Sequence, residues 1–154
     1  MRNAGAVACL VAVAACVSDT VDVDSPALEG AAATACTRLV EALPGSVADL
    51  QRRPVDSSDE YAAAWGDPAI VLRCGVPSPE GFDRAAPCQE TNGVGWFVPE
   101  EQITDQGADV TMTTIGFEHN VEVFVPASYR PPAAAMVDLA EAIKKSIREV
   151  QPCV

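Results

Sequence analysis

The sequence predicts an α+β domain: a mostly antiparallel sheet of about four strands, stapled by disulfides, with an N-terminal and a C-terminal helix packed on one face. Three observations carry this reading. Helical apolar spacing is confined to the two ends of the chain, short β-branched runs bounded by turn residues fill the middle, and strands nowhere alternate with helices as a parallel sheet requires. A length of 154 residues suits one domain with one core.

Ala32, Cys36, Leu39, Val40 and Leu43 recur at helical spacing and Pro44-Gly45 stops the pattern, so a helix is expected over 28–43. Gln51 to Ser58 is polar, with Arg52-Arg53 ahead of Pro54, and is expected to be a loop; Asp59 to Trp65 is expected to make a short helical turn closed by Gly66 and Pro68. Ala69 to Cys74 is a compact apolar run that predicts a central strand buried on both faces. Asn92-Gly93 marks a tight turn into a second strand, Val94 to Val98, which carries Trp96 and Phe97 and stops at Pro99. Val110 to Ile115 and Val121 to Val125 follow as a hairpin; in its last strand Val121, Val123 and Val125 share one face while Glu122 and Phe124 take the other. The final helix sets Met136, Leu139, Ala140, Ile143, Ile147 and Val150 on one side, begins at Pro131-Pro132 and carries acid early and base late.

Ahead of the domain, Val13-Ala14-Ala15-Cys16 reads as a lipobox, the signal for lipid attachment to the cysteine and cleavage before it. Arg2 supplies a minimal positive region, and the apolar run Ala4 to Ala15 suits a secretory signal while falling short of the roughly 20 residues of a membrane span. The chain is therefore expected to be held at the outer face of the cytoplasmic membrane, with 1–15 as signal peptide, 16–27 as a flexible acidic tether and 28–154 as the domain. An uncleaved N-terminal anchor with Cys16 unmodified is the alternative. Without Arg2 the chain keeps 9 Lys+Arg against 22 Asp+Glu, a net charge of about −13, which repels nucleic acid and anionic headgroups.

Four cysteines remain for the folded part: Cys36, Cys74, Cys88 and Cys153. An even number in an exported chain points to two disulfides, and neither a C-x-x-C redox pair nor zinc spacing occurs. The expected pairs are Cys74 with Cys88, across a loop holding Pro77, Pro79, Gly81 and Pro87, and Cys36 with Cys153, tying the first helix to the C-terminus. On the loop-entropy model these contribute roughly 3 and 4 to 5 kcal/mol.

Cys36-x-x-Leu39-x-x-x-Leu43-Pro44, the segment Ala64-Trp65-Gly66-Asp67-Pro68 running on to Cys74-Gly75-Val76, Asn92-Gly93-Val94-Gly95-Trp96, Val123-x-Val125-Pro126-x-x-Tyr129 and Pro152-Cys153 form a pattern. In it the chain resembles the actinobacterial domain-of-unknown-function family 3515. The Trp-Gly-Asp-Pro segment is the most specific part. The resemblance implies an exported envelope lipoprotein or singly anchored protein and supplies neither an activity nor catalytic residues.

No local motif announces chemistry. His119, the single histidine, lies between Glu118 and Asn120 in the expected hairpin turn and reads as a solvated turn residue. Neither Gly-x-Ser-x-Gly nor Ser-x-x-Lys occurs. Asp22-x-Asp24 and Glu100-Glu101 with Asp105 lack the loop that gathers calcium ligands, and Gly93-x-Gly95 lacks the setting of a dinucleotide fingerprint. Neither a metal nor a cofactor is expected. Trp65, Asp67, Arg73 and Trp96 are the candidate binding residues, because indoles give large contact areas and pockets mix apolar walls with few polar groups. Their plainer roles are core for Trp96, a turn or cap for Asp67, and an Arg73–Asp67 ion pair. The sequence thus favours a non-enzymatic binding or scaffold module for an envelope protein or wall component. The alternative is a wall hydrolase or transferase using carboxylates such as Asp67 or Glu90 as acid and base.

Overall fold

Proline and the apolar stripes set the helices much as expected. The computed structural model of the chain describes residues 20–57, 60–83, 86 and 88–153. Helix α1 (Gly30–Ala42) buries Ala35, Cys36 and Leu39 and stops short of Pro44, which lacks the N–H to continue it. Helix α3 (Ala133–Ser146) starts behind Pro131-Pro132 and buries Met136, Leu139, Ala140 and Ile143. The two lie side by side, and Arg38 of α1 donates from Nη2 to the Ser146 carbonyl at 3.2 Å. No helix among the described residues is long and apolar enough to cross a membrane.

The strands are β1 (Val21–Asp22), β2 (Ser46–Val47), β3 (Leu50–Arg53), β4 (Val55–Asp56), β5 (Ala62–Trp65), β6 (Ile70–Val76), β7 (Gln89–Thr91), β8 (Val94–Phe97), β9 (Val110–Ile115) and β10 (Asn120–Val125). A short helix α2 (Glu100–Thr104) follows β8. Eight strands form one sheet in the order β2-β3-β5-β6-β10-β9-β8-β7, every neighbouring pair antiparallel, while β1 and β4 pair with each other in parallel.

Helices α1 and α3 cover one face of the sheet. Trp65, Ile70, Leu72, Cys74, Val94, Trp96, Met112, Val121, Val123 and Val125 join Cys36, Leu39, Met136, Leu139 and Ile143 in a single core. The period-two burial of β6 and of β10 sends the intervening residues to the opposite face. The expected hairpin of β9 and β10 is present, and Asn92 and Gly93 both take positive φ, 51° and 78°, in the two-residue turn between β7 and β8.

Several expectations are corrected. The main sheet has eight strands where about four were expected, because the additional ones, β2, β3, β5 and β7, are short and either polar or alanine-rich. Asp59 to Trp65 is expected to be a helical turn; Asp59 lies outside the described residues, and Ala62–Trp65 is instead a fully buried strand, because ladder pairing with β3 and β6 overrides the helical preference of its alanines. The expected loop Gln51 to Ser58 carries β3 and β4, and its arginines are held by carbonyls: Arg52 Nη2 donates to Val40 O at 3.2 Å and Arg53 Nη1 to Gly66 O at 3.0 Å. The expected tether over 16–27 is packed from Val21 onward, with Val21 N–H donating to Pro54 O and Val23 N–H to Asp56 O, both at 2.9 Å. Val150 does not share the helical stripe. The helix ends at Ser146, and residues beyond it pair with the β9–β10 connection, where Val150 N–H donates to Gly116 O at 2.8 Å.

The disulfide pairing is also corrected: Cys36 is bonded to Cys74 and Cys88 to Cys153, with Cα separations of 5.6 and 6.1 Å. Cys74 shares the alternating helix-side face of β6 with Ile70 and Leu72 and so meets Cys36 on α1. Cys88 precedes the edge strand β7, which the C-terminal segment reaches after it pairs with Gly116.

Candidate functional site

The sheet's second face has no long helix over it, and its register aligns one lateral row across five strands. Ala62 on β5 faces Arg73 on β6, Arg73 faces Glu122 on β10, Glu122 faces Thr113 on β9, and Thr113 faces Phe97 on β8. Arg73 Nε lies 3.0 Å from Glu122 Oε1 and Nη2 lies 2.5 Å from the same oxygen, an ion pair between half-buried groups. Phe97 is met edge-on by Phe82, with ring centroids 5.6 Å apart.

Two connected hollows lie over this row. The larger, about 1170 Å³, is floored by Phe97, Thr111, Thr113 and Glu122 and walled by α2 on one side and by Pro79, Glu80 and Gly81 on the other. The smaller, about 420 Å³, runs from Glu122 and Arg73 to Asp24, Ser25 and Pro26. Glu122, Pro79 and Glu80 border both, which makes them one cleft. Its α2 wall is fixed by polar contacts: Thr111 N–H donates to Gln102 Oε1 at 2.7 Å, and Arg130 donates from Nη2 to Gln102 O at 2.9 Å and from Nη1 to Ala108 O at 3.1 Å. Glu100 and Glu101, in the first turn of α2, and Glu80 opposite make the rim acidic.

The sequence-derived candidates do not assemble. Trp65 and Trp96 are fully buried on the helix side of the sheet. Trp65 donates from Nε1 to Pro44 O at 3.1 Å, with the Arg52 guanidinium 6.0 Å from its ring centroid. Asp67 follows β5 in a turn containing the cis peptide Asp67–Pro68, and its side chain is 91% exposed, 3.7 Å from Arg53. The expected Arg73–Asp67 pair is therefore replaced by Arg73–Glu122 and Arg53–Asp67. Of the four candidates, Arg73 alone reaches the cleft. Asp67 and Glu90 cannot cooperate as acid and base, because β5 and β7 lie at separations of five strand spacings, about 24 Å. His119 lies in the connection before β10, as expected. Cys16 lies outside the described residues.

Phe97, Thr111, Thr113 and Glu122 were missed. Their signal was present in the alternation of Thr111 and Thr113 against Val110 and Met112, but which face stays open depends on where the helices dock. Carboxylates with shifted pKa lie elsewhere: Glu118 is held below the ordinary range by its hydrogen bond and charge interaction with Arg148, and Glu141 likewise by Lys145. Among the described residues no group of three or more His, Cys, Asp or Glu side chains is placed to hold a metal ion.

These features define an α+β domain with a broad cleft on the face of an antiparallel sheet opposite α1 and α3. The chain belongs to the family described as Protein of unknown function (DUF3515), whose model matches residues 4–152. No curated protein and no solved structure matches it.

Proposed function

We propose that this is an exported envelope protein, lipid-anchored through Cys16, whose domain binds an envelope protein or wall component in the cleft opposite α1 and α3 without catalysing a reaction on it. The observation that carries the reading is the row Arg73, Glu122, Thr113 and Phe97, with Glu122, Thr113 and Phe97 on the floor of the larger hollow and Arg73 in the smaller one that joins it. At about 1170 Å³ the main hollow exceeds the roughly 300–1,000 Å³ of most small-molecule sites, so an extended peptide or glycan segment suits it better than a compact metabolite. Phe97, Val98 and Ile103 offer apolar contact, and the carboxylates of Glu80, Glu100 and Glu101 favour a partner segment bearing positive charge. Support for export comes from the Val13–Cys16 motif and from two disulfides in so small a domain, which suit an oxidising compartment.

The test is crosslinking capture from intact cells with the native protein and two variants that keep the core untouched, Glu100→Arg/Glu101→Arg on the rim and Thr111→Trp in the trough. The expected result is one partner captured by the native chain and lost from both variants, with melting temperatures unchanged. Retention by both variants would move the site off this face. Turnover of cell-wall fragments by the purified domain would overturn the non-catalytic reading.

A further inference from the structure

The residues that link the anchor to the domain are not spare chain. Val21 and Asp22 pair in parallel with Val55 and Asp56, Val23 and Ser25 are 5% exposed, and exposed Asp22 and Asp24 alternate with them, so 21–25 is an extended segment with one face buried. Two further contacts hold it. Arg73 donates from Nη1 to the Asp24 carbonyl at 3.1 Å, while its other nitrogens hold Glu122. Leu28 then crosses β6 over Gly75, at φ +79°, where a Cβ would overlap the leucine side chain. Arg73 is thereby a positioning residue as well as part of the cleft floor, and residues 24–26 form the near wall of the cleft.

We infer that Val21–Ser25 is a strap that shortens the membrane link to about five residues and fixes the corner built by β1 and β4 against the bilayer surface. This rests on the proposed anchoring at Cys16. A free tether from Cys16 to Leu28 would reach about 43 Å at full extension, whereas Cys16 to Val21 reaches at most about 18 Å, taking 3.6 Å per residue. If the anchor is an uncleaved apolar segment ending at Ala15, the reach to Val21 is still only about 22 Å. The domain therefore cannot sweep a wide volume; it stands at the lipid surface with its corner at Asp22 and Asp56 toward the headgroups. Lys145, exposed near the end of α3, lies far from that corner: β4 packs beside β5, whereas Lys144 reaches Asn92 O at the β7–β8 turn, and β8 is four strand spacings from β5, about 19 Å. The cleft, whose wall is the strap itself, is then presented to partners held in or close to the membrane.

The experiment uses the full lipidated chain in phosphatidylcholine vesicles, with a fluorescent non-canonical residue at position 56 or 145 and an acceptor on the lipid headgroups. Transfer from position 56 is expected to exceed that from position 145 by at least about twofold, given the four-strand offset between them. A 12-residue Gly/Ser insert between Ser18 and Asp19, outside the packed segment, adds a coil of about 19 Å r.m.s. length and is expected to lower both signals and bring them together. Equal transfer from the two positions in the native chain, or no change on insertion, overturns the strap. Failure of the chain to sediment with vesicles, together with a mass lacking the diacylglyceryl group, overturns the anchoring reading itself and the inference with it.

Discussion

Removing the disulfides should divide the stability of this domain into two separable parts. The Cys36–Cys74 bridge closes a loop of 38 residues and Cys88–Cys153 one of 65. On the chain-entropy model these restrict the unfolded state by about 3.9 and about 4.3 kcal/mol at 25 °C. The loops neither overlap nor nest, so the two effects should add to about 8 kcal/mol, which is comparable with the whole stability of a typical domain, about 5–15 kcal/mol. The assay is urea unfolding followed by tryptophan fluorescence, since both indoles are fully buried and should report global exposure. Cys36→Ala/Cys74→Ala and Cys88→Ala/Cys153→Ala should lower the midpoint by about 2.6 and about 2.9 M respectively for a slope near 1.5 kcal/mol/M. The fourfold alanine variant should be marginal or unfolded without denaturant. A loss below about 1 kcal/mol for either pair would refute the loop-entropy account for that bridge. Recovery of Cys36 linked to Cys153 in unreduced peptide maps would refute the pairing on which the calculation stands.

Three further outcomes follow from individual contacts. Trp65→Phe deletes the donor to Pro44 O and should cost about 1 kcal/mol more than Trp96→Phe, whose indole nitrogen has no acceptor among the described residues; both should lower the melting temperature, as core positions do. Glu118 has its folded pKa depressed by Arg148, so the stabilisation it contributes is present above its ordinary value near 4.5 and is lost as pH falls through the lower folded value; in Arg148→Ala its carboxylate should titrate at the ordinary value by NMR, and an unmoved titration would remove this pairing. Gly116→Ala should destabilise the domain by about 2 kcal/mol or more, because φ is +80° and the new Cβ would overlap the Gln151 carbonyl oxygen; thermal unfolding matching the native chain would contradict the observed path of the C-terminal segment.

What the sequence by itself determined is whatever depends on local periodicity. The α1 stripe of Cys36 and Leu39, the α3 stripe of Met136, Leu139 and Ile143, the alternation of β10 and the Asn92-Gly93 turn each follow from a repeat or a backbone preference that acts within a few residues. The α+β class and the placement of both helices on one face were legible for the same reason, as was membership of the family. What only the tertiary structure decided depends on neighbours distant in the chain. Ala62–Trp65 is a strand because β3 and β6 flank it, and Val21–Asp22 is ordered because Val55–Asp56 offers a free edge. Loop entropy could not choose the disulfides: the expected pairs were worth roughly 3 and 4 to 5 kcal/mol, close to the values for the observed ones. The choice fell to the face of β6 on which Cys74 lies and to the helix that covers it. The cleft belongs to this second kind. Each strand has two faces of alternating residues, and the docking of α1 and α3 on one of them leaves Arg73, Glu122, Thr113 and Phe97 to line the other.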